Sequence, residues 1–140
     1  MLSYWKPDRV LLDPCCGSGT IAIEAALIAK NIAPGLMRHF AAEKWDFIDK
    51  ELWKKERREA RLAIKQDFQP KIYGSDINAN AVKMSMENAD NAGVGDCIKF
   101  AQIPFNKLKL PCNYGVCISN PPYAERMGNL NDVERLYRDM

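Results

Sequence analysis

The sequence of 140 residues predicts an α/β domain with a parallel β-sheet and helices on both faces of that sheet. Three observations support this prediction. Short apolar segments of strand length alternate with longer segments of helical character. A glycine-rich turn follows the first apolar segment directly. The later apolar segments also end in polar residues, as strands do at the ligand-binding edge of a parallel sheet.

The first half of the chain is predicted to hold one strand and two helices. Residues 10–12 (VLL) form a short apolar run that ends at Asp13-Pro14, and residues 20–30 are rich in Ala, Ile and Leu. This order indicates a strand, a tight turn and a buried helix. Pro34-Gly35 marks a loop, and residues 43–66 predict a second, strongly charged helix.

The second half is predicted to add three strands and a capped helix. Residues 71–76 indicate a strand that ends in an acid, and Asn78 can cap a helix over residues 79–91. The later elements expected are strands over residues 98–102 and 114–119 and the start of a helix over residues 130–140. The predicted strand order in the sheet is three, two, one, four.

The composition excludes several classes of protein. No run of eighteen apolar residues is present, so no membrane-spanning helix is expected, and residues 1–7 lack the features of a signal peptide. The five cysteines show no disulfide framework, which favours reduced thiols and a cytoplasmic location. A metal site is not expected, because the sequence has no Cys-x-x-Cys pair and its only histidine is His39. The net charge of +2 by itself indicates no nucleic-acid partner.

The glycine turn after the first strand is the predicted cofactor site. Its glycines permit close approach of a ligand to the backbone, and the N–H groups of the following helix suit a carboxylate or phosphate. Asp13 can accept a hydrogen bond from an ammonium group, so an amino-acid ligand suits this loop and S-adenosyl-L-methionine is the favoured cofactor. The loop residues assigned to cofactor binding are Asp13, Pro14, Cys16, Gly17, Ser18, Gly19 and Thr20.

A dinucleotide is the rival ligand, because Gly17-x-Gly19-x-x-Ala22 fits the loose G-x-G-x-x-G/A pattern. Two features oppose it. Asp13 would lie close to the pyrophosphate, and the ribose-binding acid of such folds lies about twenty residues beyond the glycines, whereas Asp76 lies much further along. Asp76, with Ile77 beside it, is instead assigned to the ribose hydroxyls of S-adenosylmethionine. The alternative for Asp76 is a capping or solvated side chain.

Asn120-Pro121-Pro122-Tyr123, which follows the predicted fourth strand, is the candidate catalytic site. The two prolines fix φ and remove two N–H donors, giving a rigid segment. The side-chain carbonyl of Asn120 and the backbone carbonyl of Pro121 can hold the hydrogens of an sp² amino group. The ring of Tyr123 can stack on an extruded base. A loop or recognition segment without a catalytic role is the alternative.

Cysteine-based methyl transfer is not expected. A cytosine-C5 enzyme would need a cysteine nucleophile at the place of the Asn-Pro-Pro-Tyr tetrad, and Cys112 lies before the predicted fourth strand. Cys15 and Cys16 are interpreted as small turn residues.

Together these residues resemble the class I methyltransferases that carry an Asn-Pro-Pro-Tyr motif. More narrowly, the chain is similar to the THUMP-associated 23S rRNA guanine-N2 methyltransferases, which are often described as N6-adenine-specific DNA methylases. The narrower resemblance rests on residues 12–26 (LDPCCGSGTIAIEAA), residues 33–45 (APGLMRHFAAEKW) and the tetrad followed by Glu125-Arg126. The second string is the most specific, because many enzymes share the glycine loop.

The resemblance implies a Rossmann-like class I methyltransferase fold. It also implies transfer of a methyl group from S-adenosylmethionine to an exocyclic amino group of a nucleobase in RNA, with guanine N2 of 23S rRNA as the favoured target. Adenine-N6 methylation of DNA or RNA is the alternative, because both reactions need the same tetrad. A cofactor-binding fragment without activity of its own is the third alternative.

Two departures from the family pattern matter. Many relatives place an acid after the third strand to hold the adenine amino group. Here either the side chain of Gln102 or backbone groups are expected to take its place. Family members also have an N-terminal THUMP region and further strands. The chain is therefore expected to be one methyltransferase domain over residues 1–140, truncated after the fourth strand. Residues 116–118 would then form an open edge that invites self-association.

Six cations in the predicted second helix recur at spacings of three and four residues. These cations are Lys50, Lys54, Arg57, Arg58, Arg61 and Lys65, and the residues that can form an apolar face are Ile48, Leu52, Ala60 and Ala63. One interpretation of the cations is a phosphate track for RNA. The other is a solvated face with local ion pairs to Glu51, Glu56 and Glu59.

Overall fold

Four parallel strands form one sheet in the part of the chain that the structure describes. The computed structural model describes residues 3–109, 112–122, 134 and 138. The strands are β1 (Leu11–Asp13), β2 (Ile72–Asp76), β3 (Ile98–Gln102) and β4 (Val116–Cys117). Their order in the sheet is β3-β2-β1-β4, which confirms the order predicted from the sequence. In the register, Leu11 pairs with Ile72 on one side and with Val116 on the other.

The α-helices that accompany the strands are α1 (Thr20–Ala29), α2 (Lys50–Leu62) and α3 (Ala79–Asn91). Short 3₁₀ turns lie at Ala41–Lys44, Gly95–Cys97 and Phe105–Lys107. Asn78 caps α3 as predicted, since its side chain accepts a hydrogen bond from the Asn80 N–H at 2.9 Å. α1 has no side-chain cap and begins after Gly19, the last residue of the glycine turn.

The hydrophobic core lies between the sheet and one layer of helices. α1 and α3 share a face of the sheet, because the β1-to-β2 and β2-to-β3 crossovers run in the same direction, and the two helices contact each other. Leu11 and Ile72 are 1% exposed at the centre of this core. The alanines of α1 that share the core, Ala22, Ala26 and Ala29, are fully buried. Small side chains let α1 lie close to the sheet, with its N-terminus at the carboxyl edge of β1.

The segment predicted as one helix over residues 43–66 is divided in the structure. A 3₁₀ turn precedes Trp45, which is extended with φ of −76° and ψ of 129°. α2 begins only at Lys50, because Asp49 is its N-cap and accepts a hydrogen bond from the Glu51 N–H at 2.9 Å. The prediction of a single helix was therefore wrong.

Arg57 ties α2 to the segment that follows α1. Its guanidinium donates to the backbone carbonyl oxygens of Leu36 at 2.7 Å and Arg38 at 2.6 Å, and its Nη2 pairs with Glu43 Oε1 at 2.5 Å. The side chain of Arg57 is 19% exposed. The planar guanidinium offers several donors in a fixed geometry, so one side chain serves two turn carbonyls and a carboxylate. Arg57 therefore has a structural role and is not part of a phosphate track.

The packed side of α2 also differs from the apolar face predicted for it. Leu52 is 50% exposed and Ala63 is exposed, whereas Trp53 and Ala60 are partly buried. The Trp53 ring stacks on Phe40 with centroids 6.0 Å apart. Because Trp53 directs the helix towards Phe40, the prediction was wrong for Leu52 and Ala63.

β4 is shorter than the strand predicted over residues 114–119. The N–H groups of Val116 and Ile118 donate to the carbonyl oxygens of Val10 and Leu12 at 2.8 and 2.9 Å, so pairing with β1 extends just beyond β4. Among the described residues, β4 has a strand partner only in β1. Self-association through its other edge stays a prediction, which light scattering at several protein concentrations would test.

The remaining predictions concern the C-terminal segment, the membrane and the thiols. The expected helix over residues 130–140 falls outside the described residues, apart from Glu134 and Arg138, which are helical and exposed. Within the described part of the chain, no helix has the length and apolar character needed to cross a bilayer. The five cysteines are free thiols in the structure.

Replacing Glu43 with glutamine is expected to destabilise the protein at neutral pH. Hydrogen bonds with His39 and the Phe40 backbone, together with Arg57, lower the pKa of Glu43 from its ordinary value of 4.5 to about 2. A carboxylate with a depressed pKa stabilises the fold above its unfolded pKa, and this contribution is lost as the pH falls towards the folded pKa. The melting temperature of Glu43→Gln should lie below that of the wild type at pH 7. The two should converge between about pH 5 and 2.

Glu51→Gln is the matched control for this measurement. The Glu51 carboxylate is exposed and pairs with Lys54 at 2.6 Å on the surface of α2, where an ion pair contributes little. Its melting temperature should follow that of the wild type at each pH. Identical melting temperatures of Glu43→Gln and the wild type at pH 7 would contradict the role given to Glu43.

Candidate cofactor and substrate site

The loop after β1 is held in one shape by backbone hydrogen bonds. The Cys16 N–H donates to the carbonyl oxygen of Ser75 in β2 at 2.9 Å, and the Gly19 N–H donates to that of Cys16 at 2.8 Å. Gly17 and Gly19 have φ of 52° and 84°, in the left-handed region that favours glycine. The loop therefore turns tightly beside the end of β2 and leads directly into α1. The first N–H groups of α1, which have no partners inside the helix, lie at this end.

Gly19 and Gly74 are required because the ring of Phe100 packs against both. A Cβ added at Gly19 would lie 3.2 Å from Phe100 Cζ and 2.9 Å from Ser85 Cβ. A Cβ at Gly74 would lie 2.6 Å from the same ring. The inner side of the glycine loop is thus closed by α3 and β3, which leaves its outer side for a ligand.

Asp76, at the end of β2, accepts hydrogen bonds through both carboxylate oxygens. Oδ2 accepts from the Gly17 N–H at 3.0 Å, and Oδ1 accepts from the Asn78 N–H at 2.9 Å. Each carboxylate oxygen can accept more than one hydrogen bond, so Asp76 can still bind hydroxyl groups. The predicted acid and the predicted glycine loop are therefore in direct contact.

A hydrogen bond joins the ends of β1 and β4. Ser119 Oγ donates to Asp13 Oδ1 at 2.8 Å, and the Cys15 N–H donates to the same oxygen at 3.4 Å. Asp13 is 1% exposed. Burial raises the pKa of its carboxyl, the hydrogen bond from Ser119 opposes part of that rise, and the charge of Asp76 adds to it. A cation bound beside Asp13 would offset the cost of its buried charge.

Asn120, Pro121 and Pro122 follow this hydrogen bond directly along the chain. The Ile118 N–H donates to the Leu12 carbonyl oxygen at 2.9 Å, so the segment leaves the sheet beside the glycine loop. Asn120 is exposed, and both prolines are partly exposed. Tyr123, the fourth residue predicted to be catalytic, lies outside the described residues.

Ile77 and Gln102 are the neighbours of Asp76 at the carboxyl edge. Ile77 follows it along the chain, and Gln102 lies opposite it on β3. Ile77 is 72% exposed and offers apolar surface to a ligand. Gln102 pairs with Asp76 across the strands, and its Nε2 donates to the Ile77 carbonyl oxygen at 3.1 Å. This arrangement places an apolar and an amide side chain beside the acid.

The remaining loop residues surround these contacts. Pro14 and Cys16 are buried, and the hydroxyls of Ser18 and Thr20 share a hydrogen bond at 3.1 Å. Thr20 also lines a cavity of about 280 Å³ next to Trp5. The ten residues predicted to bind the cofactor thus lie at the carboxyl edges of β1, β2 and β3.

The cysteines near the loop are poor nucleophiles. Burial raises the pKa of Cys16 to about 12, and it also raises the pKa of Cys15 and of Cys117. Since the thiolate and not the thiol is nucleophilic, these side chains serve as small turn and strand residues. Among the residues that the structure describes, no cluster of His, Cys, Asp and Glu could hold a metal ion.

Three residues that shape the site were not identified from the sequence: Ser119, Asn88 and Phe100. Asn88 Nδ2, from α3, donates to the Ser18 carbonyl oxygen at 3.0 Å and so holds the loop from outside. Ser119 could have been found, because it immediately precedes the tetrad at the end of a predicted strand. Asn88 and Phe100 act across long sequence separations and leave no local pattern.

The site fits a ligand with an amino-acid group and a ribose. Asp13 is a buried carboxylate that suits an ammonium group, the first turn of α1 suits a carboxylate, and Asp76 suits a diol. The strand order and the residues at the carboxyl edge of the sheet are those of an α/β fold of the S-adenosylmethionine-dependent methyltransferase class. Residues 1–140 match the family described as the RMKL-like methyltransferase domain, and the chain belongs to that family.

Relatives and solved structures agree with this assignment. The chain is 47% identical over 139 residues to YpsC of Bacillus subtilis, which is named as a candidate RNA methyltransferase. The alignment covers 99% of this chain and 36% of YpsC. It is 46% identical to the ribosomal RNA large subunit methyltransferase K/L of Shewanella amazonensis, covering 96% of this chain and 20% of that protein. SMU.472 is described as a candidate methyltransferase, and its crystal structure contains S-adenosylhomocysteine. That structure superposes on this chain with a TM-score of 0.94 at 42% sequence identity. The superposition covers 99% of this chain and 37% of the SMU.472 chain.

Two facts follow from these comparisons. The cofactor of this methyltransferase domain is S-adenosylmethionine. The chain spans about a third of the length of YpsC and a fifth of that of the Shewanella enzyme.

Removing the hydroxyl of Ser119 is expected to destabilise the protein in a pH-dependent manner. Among the described residues, Ser119→Ala leaves the buried Asp13 carboxylate with the long hydrogen bond from the Cys15 N–H. This loss costs about 1–3 kcal/mol for a buried acceptor. Burial already holds the pKa of Asp13 above its ordinary value, and the substitution raises that pKa further. The stability deficit relative to the wild type should therefore grow as the pH rises and shrink as Asp13 becomes protonated. Urea unfolding between pH 4 and 8 measures this.

Ser18→Ala is the matched control, because the Ser18 hydroxyl contacts only another exposed hydroxyl among the described residues. Its effect should stay within about 0.5 kcal/mol at every pH. If the loss of stability in Ser119→Ala is the same at pH 4 and pH 8, the Ser119 hydroxyl does not act on the charge of Asp13.

Proposed function

We propose that this chain is the cofactor-binding part of a cytoplasmic enzyme that methylates an exocyclic amino group of a nucleobase in RNA. The proposed target is guanine N2 of 23S ribosomal RNA. The name of the Shewanella relative supports a ribosomal RNA substrate, and the tetrad supports an amino group as the acceptor.

The observation that carries this proposal is the hydrogen bond between Ser119 and Asp13. It holds the glycine loop and the Asn120-Pro121-Pro122 segment side by side at one edge of the sheet. A donor of methyl groups on the loop and an acceptor on the tetrad would then be neighbours. Transfer between two bound partners needs this proximity more than it needs a protein nucleophile.

The cofactor supplies an electrophilic methyl group on a sulfonium. The proposed role of Asn120 is to accept a hydrogen bond from the target amine through its side-chain carbonyl. The backbone carbonyl of Pro121 would accept the second hydrogen. An aromatic amine is a weak nucleophile, and it would become acidic as the new N–C bond forms and the S–C bond of the sulfonium breaks, leaving S-adenosylhomocysteine. Two fixed acceptors would orient the amine and stabilise the developing positive charge until one proton is lost to water. Tyr123 is proposed as the surface on which the base stacks.

Mass spectrometry of nucleosides would identify the base. Ribosomal RNA from cells that lack the parent enzyme should lose N2-methylguanosine at one site and regain it when the enzyme is restored. Loss of N6-methyladenosine instead would identify adenine as the target with the same tetrad. Unchanged ribosomal RNA together with loss of N6-methyladenine from DNA would reject RNA as the substrate.

Asp76→Ala is expected to weaken cofactor binding by about tenfold or more, the scale of hydrogen bonds to a charged group. The variant loses both the proposed ribose contacts and the acceptor for the Gly17 N–H. Isothermal titration of the chain with S-adenosylhomocysteine measures this change. Asp90→Ala, which removes an exposed carboxylate from α3, is the matched control and should bind as the wild type does. Wild-type affinity of Asp76→Ala, or tighter binding of NAD than of S-adenosylhomocysteine, would contradict the assignment.

Asn120→Ala is expected to lower turnover of the parent enzyme by roughly one to three powers of ten, as loss of a preorganised polar group does. Affinity for S-adenosylhomocysteine should barely change, because Asn120 is proposed to face the base. Methylation of ribosomal RNA with a radiolabelled cofactor measures the turnover. Asn113→Ala, at an exposed position before β4, should keep full activity. Full activity of Asn120→Ala would sink the proposed mechanism.

A further inference from the structure

We infer that the exposed stripe of cations on α2, together with the aromatic pair that precedes this helix, binds a single-stranded segment of the RNA substrate. This inference rests on the proposed function, because it assumes an RNA substrate. It concerns the surface formed by α2 and residues 45–47, and it assigns that surface to binding and not to chemistry.

The stripe consists of Lys50, Lys54, Arg58 and Arg61, which follow one another at spacings of four, four and three residues. In a helix with 3.6 residues per turn, these positions fall on one side and span about 16 Å along the axis. All four side chains belong to exposed residues. Of the four, Lys54 has an ion pair among the described residues, with Glu51 at 2.6 Å. The stripe is therefore a row of positive charge available to phosphates.

The packing of α2 explains why the cations of the stripe are exposed while the neighbouring cation Arg57 is not. Arg57 is taken up by the Leu36 and Arg38 carbonyl oxygens and by Glu43. Glu56 and Glu59 lie on the opposite side of the helix from the stripe by the same helical spacing. The fold thus uses one cation internally and places Glu56 and Glu59 away from the stripe. Glu51 is the acid that pairs with it, through Lys54. The exposed stripe has no role in packing.

An exposed aromatic pair lies just before the N-terminus of α2. Trp45 and Phe47 are 51% and 83% exposed, and their rings stack with centroids 5.4 Å apart and planes 28° apart. The backbone at this point is fixed, since the Trp45 N–H donates to Ala42 and the Ile48 N–H donates to Trp45. Phe47 precedes Lys50 by three residues, so the aromatic pair adjoins the first cation of the stripe along the chain. Exposed rings next to a row of cations are the arrangement on which unpaired bases stack while their phosphates are neutralised.

A single strand fits this surface better than a duplex. Bases inside a duplex are stacked on each other and cannot reach aromatic side chains, whereas loops and bulges expose theirs. The stripe alone would bind any nucleic acid without sequence information. The rings add a contact that only unpaired bases can make.

The cations are tested by fluorescence anisotropy with a labelled single-stranded RNA of about twenty nucleotides, titrated between about 50 and 200 mM salt. Arg58→Ala/Arg61→Ala should lower the slope of log affinity against log salt by about 1.4, since each phosphate contact to a single strand contributes about 0.7. Lys55→Ala/Lys83→Ala is the matched control. It also removes two exposed cations, but one lies off the stripe on α2 and the other lies on α3. Its slope should equal that of the wild type.

The rings are tested with the same probe. Trp45→Ala/Phe47→Ala should weaken binding about fivefold or more with an unchanged salt slope, because stacking is lost and charge is not. Tyr114→Ala removes a ring that is 90% exposed elsewhere on the molecule, and it should leave the affinity unchanged. Titration with S-adenosylhomocysteine should give wild-type affinity for all of these variants, which shows that each is folded.

Three results would overturn the inference while leaving the proposed methyl transfer intact. The first is a wild-type chain that binds S-adenosylhomocysteine but not the RNA. The second is a salt slope that falls equally in the control variant. The third is a change of Trp45→Ala/Phe47→Ala from oligomer to monomer, seen by light scattering, without a change in RNA affinity. Failure of the wild type to bind S-adenosylhomocysteine would instead contradict the proposed function.

Discussion

The hydrogen bond from Ser119 to Asp13 is the contact on which the arrangement of the site depends. β1 and β4 are neighbours in the sheet but far apart in the sequence, so their loops could leave the carboxyl edge in different directions. The bond fixes the end of β4 against the start of the glycine loop. It also supplies a donor to a carboxylate that burial would otherwise leave poorly satisfied. The same contact therefore stabilises the fold and positions the tetrad.

A second set of contacts fixes the loop from the opposite side. Asp76 accepts from the Gly17 N–H, Asn88 donates to the Ser18 carbonyl oxygen, and Phe100 packs on Gly19. These side chains come from β2, α3 and β3. The loop is thus held from β2, α3 and β3 by contacts within the protein. A preformed loop lowers the ordering cost of binding, which suits a site that must hold two partners at once.

The sequence patterns were sufficient where local signals decide the structure. The strand over residues 98–102 and the helix over residues 79–91, with its Asn78 cap, have the predicted bounds. The predicted sheet order, which the structure confirms, is that of doubly wound α/β folds. The region of α2 was predicted less well, because a single charged pattern over residues 43–66 does not reveal the break at Trp45. Ser119 and Phe100 were missed for a related reason, since their partners lie far away in sequence.

The cations of α2 show why a charge pattern alone does not assign function. Arg57 and Arg58 are adjacent in sequence and identical in chemistry, yet helical geometry turns one towards Leu36 and the other to solvent. Arg57, which is partly buried, donates to two carbonyl oxygens and pairs with a carboxylate, so its charge is already partnered within the protein. The exposed one contributes nothing to this packing and keeps its donors open to solvent. The direction of each side chain therefore separates a structural cation from one that can bind phosphate. The packing of Trp53 on Phe40 contributes to setting that direction.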